Sequence, residues 1–151
     1  MGTITKNFDY AEFERSATAK SLGICNVITT FAVRDAVKEL TVNLLQPLRD
    51  AWGSGLTVTS GYRCEALNRA VGGSATSAHV YGWAADIVPA NGKMQEFYEF
   101  TERWLKERDV AFDQCIRERN AAGTSRWLHL GWKNRLGQQR RMFLISSRSE
   151  I

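Results

Sequence analysis

The sequence holds two histidines, His79 and His129, and each stands in a segment whose spacing suits it to chemistry. In Ser77-Ala78-His79-Val80-Tyr81-Gly82-Trp83-Ala84-Ala85-Asp86, a loop with a glycine leads into an apolar stretch that carries Asp86. The seven-residue offset lets the chain turn at Gly82 and bring both side chains to one point. In Trp127-Leu128-His129-Leu130-Gly131-Trp132, strand alternation puts Leu128, Leu130 and Trp132 on one face and His129 on the other. The apolar face belongs in a core, and the histidine faces a cleft. Two imidazoles and one carboxylate make a three-ligand set that leaves a fourth position for water, the arrangement of catalytic zinc. Sites for Ca²⁺ or Mg²⁺ would want more carboxylates. The same spacing also admits a plainer reading, in which the histidines are hydrogen-bonded structural residues and Asp86 caps a turn.

Competing chemistries are thin. Cys25, Cys64 and Cys115 are odd in number and far apart, with no C-x-x-C pair, so they read as reduced thiols. Cys115 as a nucleophile would need a histidine free to activate it, and core packing is the better reading. The net charge of +4 admits an anionic partner, but nucleic-acid binding rests on that alone and is not expected. The basic residues Lys133, Arg135, Arg140 and Arg141 read as a solvated edge strand.

The elements that must position these residues follow from periodicity. Apolar residues recur at three- and four-residue steps from Phe31 to Leu48, which predicts a helix from Thr30 to Trp52, capped by Thr29 or Thr30 and Gly53 and kinked or broken at Pro47. A second long helix is predicted from Lys93 to Arg108, with Phe97, Phe100, Trp104 and Leu105 inward, and a short one from Glu65 to Val71. Strands are predicted at Leu56–Thr59, Trp83–Val88, Phe112–Glu118, Arg126–Trp132 and Arg140–Ser146. This order gives an α+β fold with a small, mostly antiparallel sheet flanked by helices. The chain of 151 residues is expected to form a single domain, with an N-terminal strap over 1–29 and a frayed tail over 146–151. No apolar run approaches the ~18 residues of a membrane span, so no membrane insertion is expected. Met1 to Tyr10 lacks the layout of a secretory signal, so the expectation is synthesis in the cytoplasm.

Several motifs in order resemble the zinc D-alanyl-D-alanine carboxypeptidases and related peptidoglycan peptidases, which share a metal fold with the hedgehog signalling domain. These are Ser60-Gly61-Tyr62-Arg63, Leu67-Asn68 followed by Val71-Gly72-Gly73, Ser77-x-His79-x-x-Gly82-x-Ala84-x-Asp86-Ile87, and Trp127-x-His129. The resemblance implies a hedgehog-like fold and one zinc per chain held by His79, Asp86 and His129. It implies that Arg63 contacts the substrate carboxylate or developing oxyanion, and that the substrate is a peptidoglycan stem peptide. The protein would cut as a D-Ala-D-Ala carboxypeptidase or an L-Ala-D-Glu endopeptidase, as a monomer acting at the cell wall. A wall substrate without a signal peptide resembles phage or prophage lysis enzymes. Ser77 either bonds substrate or shapes its loop. Of the aromatics, Tyr81 and Trp83 are expected near the substrate and the rest in the core.

One departure bears on mechanism. Many relatives place an acidic general base three residues before the last histidine, where this sequence has Arg126. The nearest acidic candidate is Glu118, and a branch of the family resembles this, with a longer insertion between acid and histidine. If the two runs pair with Glu118 opposite Trp127, Glu118 and His129 share a face; a one-residue slip separates them. Asp113 is the weaker rival base because it lies further from the loop, and the plainer reading of Glu118 is a solvated hairpin residue. Without a base, the chain would be a non-catalytic, zinc-containing wall-binding or virion structural module of the same fold.

Overall fold

The computed structural model describes residues 2–119 and 125–147. Its centre is a five-stranded sheet in the order β3-β4-β6-β5-β7, built from Leu56–Ser60 (β3), Ala84–Pro89 (β4), Gln114–Arg119 (β5), Ser125–Gly131 (β6) and Met142–Ser147 (β7). Three of its pairings are antiparallel, while β7 runs parallel to β5. The segment between β6 and β7 crosses one end of the sheet to reach the far side of β5. Of the expected tail over 146–151, Ser146 and Ser147 belong to β7 and the remainder lies outside the described residues.

Alternation along each strand divides the sheet into two faces. Val58, Ala85, Ile87, Cys115, Leu128 and Leu130 join a buried apolar core with side chains of the helices. The other face of β4 and β6 carries Asp86 and His129, opposite one another in register.

The long helices cover the apolar face. Thr30 caps the first by accepting a hydrogen bond from the Val33 amide, and Gly53 ends its last turn at φ 78°. At Pro47, where a kink or a break is expected, the helix runs on through an irregular turn: Phe31–Leu40 (α3), a π-helical stretch at Thr41–Leu45, and Gln46–Trp52 (α4). Proline has no N–H and crowds the carbonyl four residues earlier, and the wider π turn just before Pro47 absorbs that misfit. The helix Met94–Glu107 (α6) buries Phe97, Tyr98, Thr101 and Leu105, with Phe100 and Trp104 only partly buried at its flank. Its inner face is therefore rotated toward Tyr98 relative to the expected stripe.

The N-terminal segment forms two short strands, Thr3–Thr5 (β1) and Phe8–Asp9 (β2), and two short helices, Tyr10–Glu14 (α1) and Ala17–Leu22 (α2). It is more than a strap laid on the surface, because Phe8, Tyr10, Phe13 and Ile28 are part of the core.

Candidate active site

β6 lies between β4 and β5, and His129 pairs with Asp86 on one side and with Ile116 on the other. His79 reaches the same point from a 3-10 turn over Ala78–Tyr81. The Ser77 hydroxyl caps this turn by accepting from the His79 amide at 3.3 Å, and Gly82 closes it at φ 79°, where side chains are disfavoured. His79 Nε2 and His129 Nδ1 then lie 3.2 and 3.1 Å from the same Asp86 oxygen. One ligand atom from each of the three residues falls within 4.8 Å of the other two.

The protonation states suit metal binding. His79 Nδ1 lies 2.7 Å from the Gly61 carbonyl oxygen. A carbonyl only accepts, so Nδ1 carries the proton and Nε2 presents its lone pair. Burial lowers the pKa of His79 and outweighs the upward pull of Asp86, leaving a neutral ring. Burial pushes the Asp86 carboxyl up, while charge on the adjoining imidazoles would hold it below the usual carboxylate range. With Nδ1 turned to Gly61, His79 Nε2 faces an Asp86 oxygen at 3.2 Å, and a cation held between them would satisfy both. The two-nitrogen, one-oxygen donor set fits zinc, with the Gly61 carbonyl orienting His79 from behind.

Arg63 borders the same site. Its amide donates to the His79 carbonyl at 3.2 Å, and its guanidinium Nη1 donates to Asn68 Oδ1 at 3.1 Å. Asn68, on Glu65–Ala70 (α5), is held in turn by donating to the Ser74 carbonyl at 2.8 Å. A Cβ on Gly73 would collide with both the Asn68 carboxamide and the Arg63 guanidinium. Asn26 braces the loop from the other side, donating to the Tyr62 and Glu14 carbonyls and accepting from the Cys64 amide.

The register that decides the position of Glu118 is the favourable one, with Glu118 opposite Trp127 and Ile116 opposite His129. Glu118 is buried and lines a cleft of about 300 Å³ together with His79, Asp86, His129, Arg63 and Ser77. The rung it occupies is pinned from the core side: the hydroxyl of the fully buried Tyr98 donates toward the Glu118 carbonyl at 2.9 Å and the Trp127 carbonyl at 2.7 Å. Asp113 also lines the cleft, but Arg140 grips its carboxylate with Nε and Nη2 at 2.8 and 2.9 Å.

Tyr81 and Trp83, expected near the substrate, are not placed on the walls of the cleft. Among the described residues neither lines this cleft or the one beside it. Trp83 precedes β4 in the phase of Ala85 and Ile87, which points into the core, and its ring lies under Lys133 at 5.2 Å. Tyr81 sits on the outer side of the His79 turn, 39% exposed. The aromatic that does line both clefts is Trp127, which shares the phase of His129 in the sequence. Burial pushes the Cys115 thiol pKa strongly up, in keeping with a packing role. Asn68, Gly61, Asn26 and Tyr98 were not singled out as site residues by sequence. Asn68 and Gly61 do stand inside the quoted motifs, whereas nothing local marks Asn26 or Tyr98.

Comparison with known proteins agrees with this geometry. The family model described as Peptidase M15 matches residues 6–127, most of the chain. The chain belongs to the peptidase M15 family. The zinc D-Ala-D-Ala carboxypeptidase of Streptomyces albus G is 39% identical to this M15 chain over 82 residues, which cover 54% of the chain and 31% of that protein. The chain thus matches about a third of that relative's length. The α+β architecture is that of the family's hedgehog-like fold, as expected. The family match ends at Trp127, two residues short of His129, so the place of His129 in the triad rests on its pairing with Asp86 across β4 and β6.

Proposed function

We propose that this M15 chain is a zinc-dependent peptidase that hydrolyses an amide bond in the stem peptide of peptidoglycan, of the D-Ala-D-Ala carboxypeptidase or L-Ala-D-Glu endopeptidase type. The observation that carries the reading is the convergence of His79 Nε2, an Asp86 carboxylate oxygen and His129 Nδ1 in one cleft with Arg63 and Glu118. His79, Asp86 and His129 would hold one zinc ion. When bound, zinc supplies Lewis acidity, acidifying a water molecule and polarising the scissile carbonyl. Arg63, oriented by Asn68, stabilises the negative charge that develops on the carbonyl oxygen as water adds. Glu118 takes the proton of the attacking water and returns it to the departing amine, a role typically worth ~10² to 10⁴ in rate. Ser77 shapes the turn that presents His79.

Arg126, standing where many relatives carry the base, favours a second reading as a non-catalytic module that retains the fold and metal. Mass spectrometry of purified muropeptides incubated with the zinc-loaded protein, with and without chelator, separates the two. A chelator-sensitive mass loss supports the enzyme and identifies the bond, whereas intact muropeptides in the presence of bound zinc support the module. Elemental analysis tests the ligands: wild type should hold about one zinc per chain, and His79→Ala and His129→Ala should lose it. Retention of the metal in both variants would overturn the triad.

A further inference from the structure

Beside the metal cleft lies a second one of about 310 Å³, walled by α2, α5 and the open face of β3, β4 and β6. The two clefts share Arg63, Asp86 and Trp127, so the triad lies on their common border. Their character differs. The metal cleft carries Asp86, Asp113 and Glu118 against Arg63 and Arg140, whereas the charged residues lining the second are Arg63, Arg126 and Asp86. Asp86 is already committed to the two imidazoles. Arg63 is held by Asn68, so the exposed guanidinium at this cleft is that of Arg126, above a partly aliphatic wall that includes Leu67, Val71 and Val88.

We propose that this second cleft is the subsite for a carboxylate carried by the substrate peptide, with Arg126 as its specificity-determining residue. The proposal rests on the peptidase reading. A peptide crossing the border would place its scissile amide at the triad and its anionic end in the arginine-lined cleft. Arg126 is exposed, and its guanidinium stacks on Trp127 with Cζ 4.9 Å from the ring centroid. Stacking restricts a long, flexible side chain to the mouth of the cleft and leaves the edge of its planar fork free to grip an anion. The aliphatic wall suits a small apolar side chain next to that carboxylate, as in a peptide ending in or near alanine. Arg63, more deeply buried, faces both clefts and so serves the reacting carbonyl and the bound anion together.

The test compares a stem peptide bearing the free carboxylate with the same peptide as its carboxamide, using zinc-loaded wild type, Arg126→Ala and Arg126→Lys. Wild type should favour the free acid in kcat/KM. Arg126→Ala should reduce the acid-to-amide ratio about tenfold, the low end for losing a charge-assisted hydrogen bond at a solvated site. The change should appear in KM, with zinc content unchanged, and Arg126→Lys should retain part of the preference. Equal cleavage of acid and amide by wild type, or an equal loss on both peptides in Arg126→Ala, would overturn the proposal. If wild type cleaves neither peptide, the peptidase reading fails separately, and calorimetric titration with the same pair still reads the subsite. Tighter binding of the acid, weakened by Arg126→Ala, sustains it, and equal binding ends it.

Discussion

Asp113 and Glu118 stand at the two ends of one strand, line one cleft and are almost equally buried, at 1% and 5% exposed, yet the fold puts them to different uses. Asp113 lies just before β5, in the phase of Cys115 and Arg117, which alternates away from His129. Its carboxylate is saturated by the Arg140 guanidinium and the Arg140 amide, while its carbonyl accepts from the Met142 amide. These bonds fasten the crossing segment that delivers β7 to the edge of β5. Glu118 lies in the phase of Ile116, the direct neighbour of His129, and its rung is held by Tyr98. Within the proposed peptidase reading, strand phase therefore favours Glu118 as the base, and the Arg140 clamp argues against Asp113.

The largest expected effect tests that contrast directly. Glu118→Gln preserves size while removing basicity, and we expect hydrolysis to fall by ~10² to 10⁴ with fold and zinc retained, the range for losing a general base. Asp113→Asn should keep turnover within about fivefold of wild type, because a group outside the proton-transfer path contributes little to it. Rates on muropeptides for the two variants decide the matter. If Asp113→Asn is the inactive one, the assignment is reversed.

Much of this arrangement was legible in the sequence, and what was not has identifiable causes. The His79–Asp86 offset and the alternation around His129 were local patterns, so these three residues stood out as candidates, and the family resemblance chose the metal reading over the structural one. Whether Glu118 joined them depended on pairing register, which local alternation leaves open until two strands are docked. The parallel placement of β7 was equally hidden, since alternation looks the same in either strand direction. Trp83 is near His79 in sequence, but its phase along β4 turns it away from the cleft. Asn26 and Tyr98 act through contacts with residues as far as 38 and 29 positions away, and no short motif can announce them.

Gly61 offers a test of how rigidly His79 must be held while both carboxylates are left alone. A Cβ there would lie 2.6 Å from the Phe13 Cα and 2.8 Å from its carbonyl oxygen, and backbone atoms cannot swing aside. The same residue supplies the carbonyl that orients His79. Gly61→Ala should cost ~1–3 kcal/mol of stability by overpacking and weaken zinc ~10- to 100-fold by shifting the carbonyl that orients His79. Thermal unfolding and competitive chelator titration measure the two. Unchanged zinc affinity would show that His79 needs no support from behind.

Tyr98→Phe sharpens the contrast at the Glu118 end by removing one oxygen. Two buried carbonyls lose their shared donor, which should cost about 1–2 kcal/mol of stability. Turnover should drop about tenfold, short of the ~10² that a 1 Å misplacement can bring. A positioning role requires the loss to fall on kcat more than on KM with zinc content unchanged, whereas a merely structural role would lower stability and leave kcat alone.

The smallest expected effect lies at the Asp113 end. Arg140→Ala leaves a buried carboxylate without its main partner, but the arginine side chain is itself 42% exposed and water can partly replace it. We therefore expect a destabilisation of roughly 1–2 kcal/mol, below the cost of breaking a fully buried pair. Asp113→Asn should cost a similar amount, and in the double variant the two losses should fall short of additive, because both remove the same clamp. Denaturant unfolding of the four proteins gives the coupling. Additive losses would mean that Arg140 and Asp113 stabilise the crossing segment independently, and Asp113 would again be open to a role at the site.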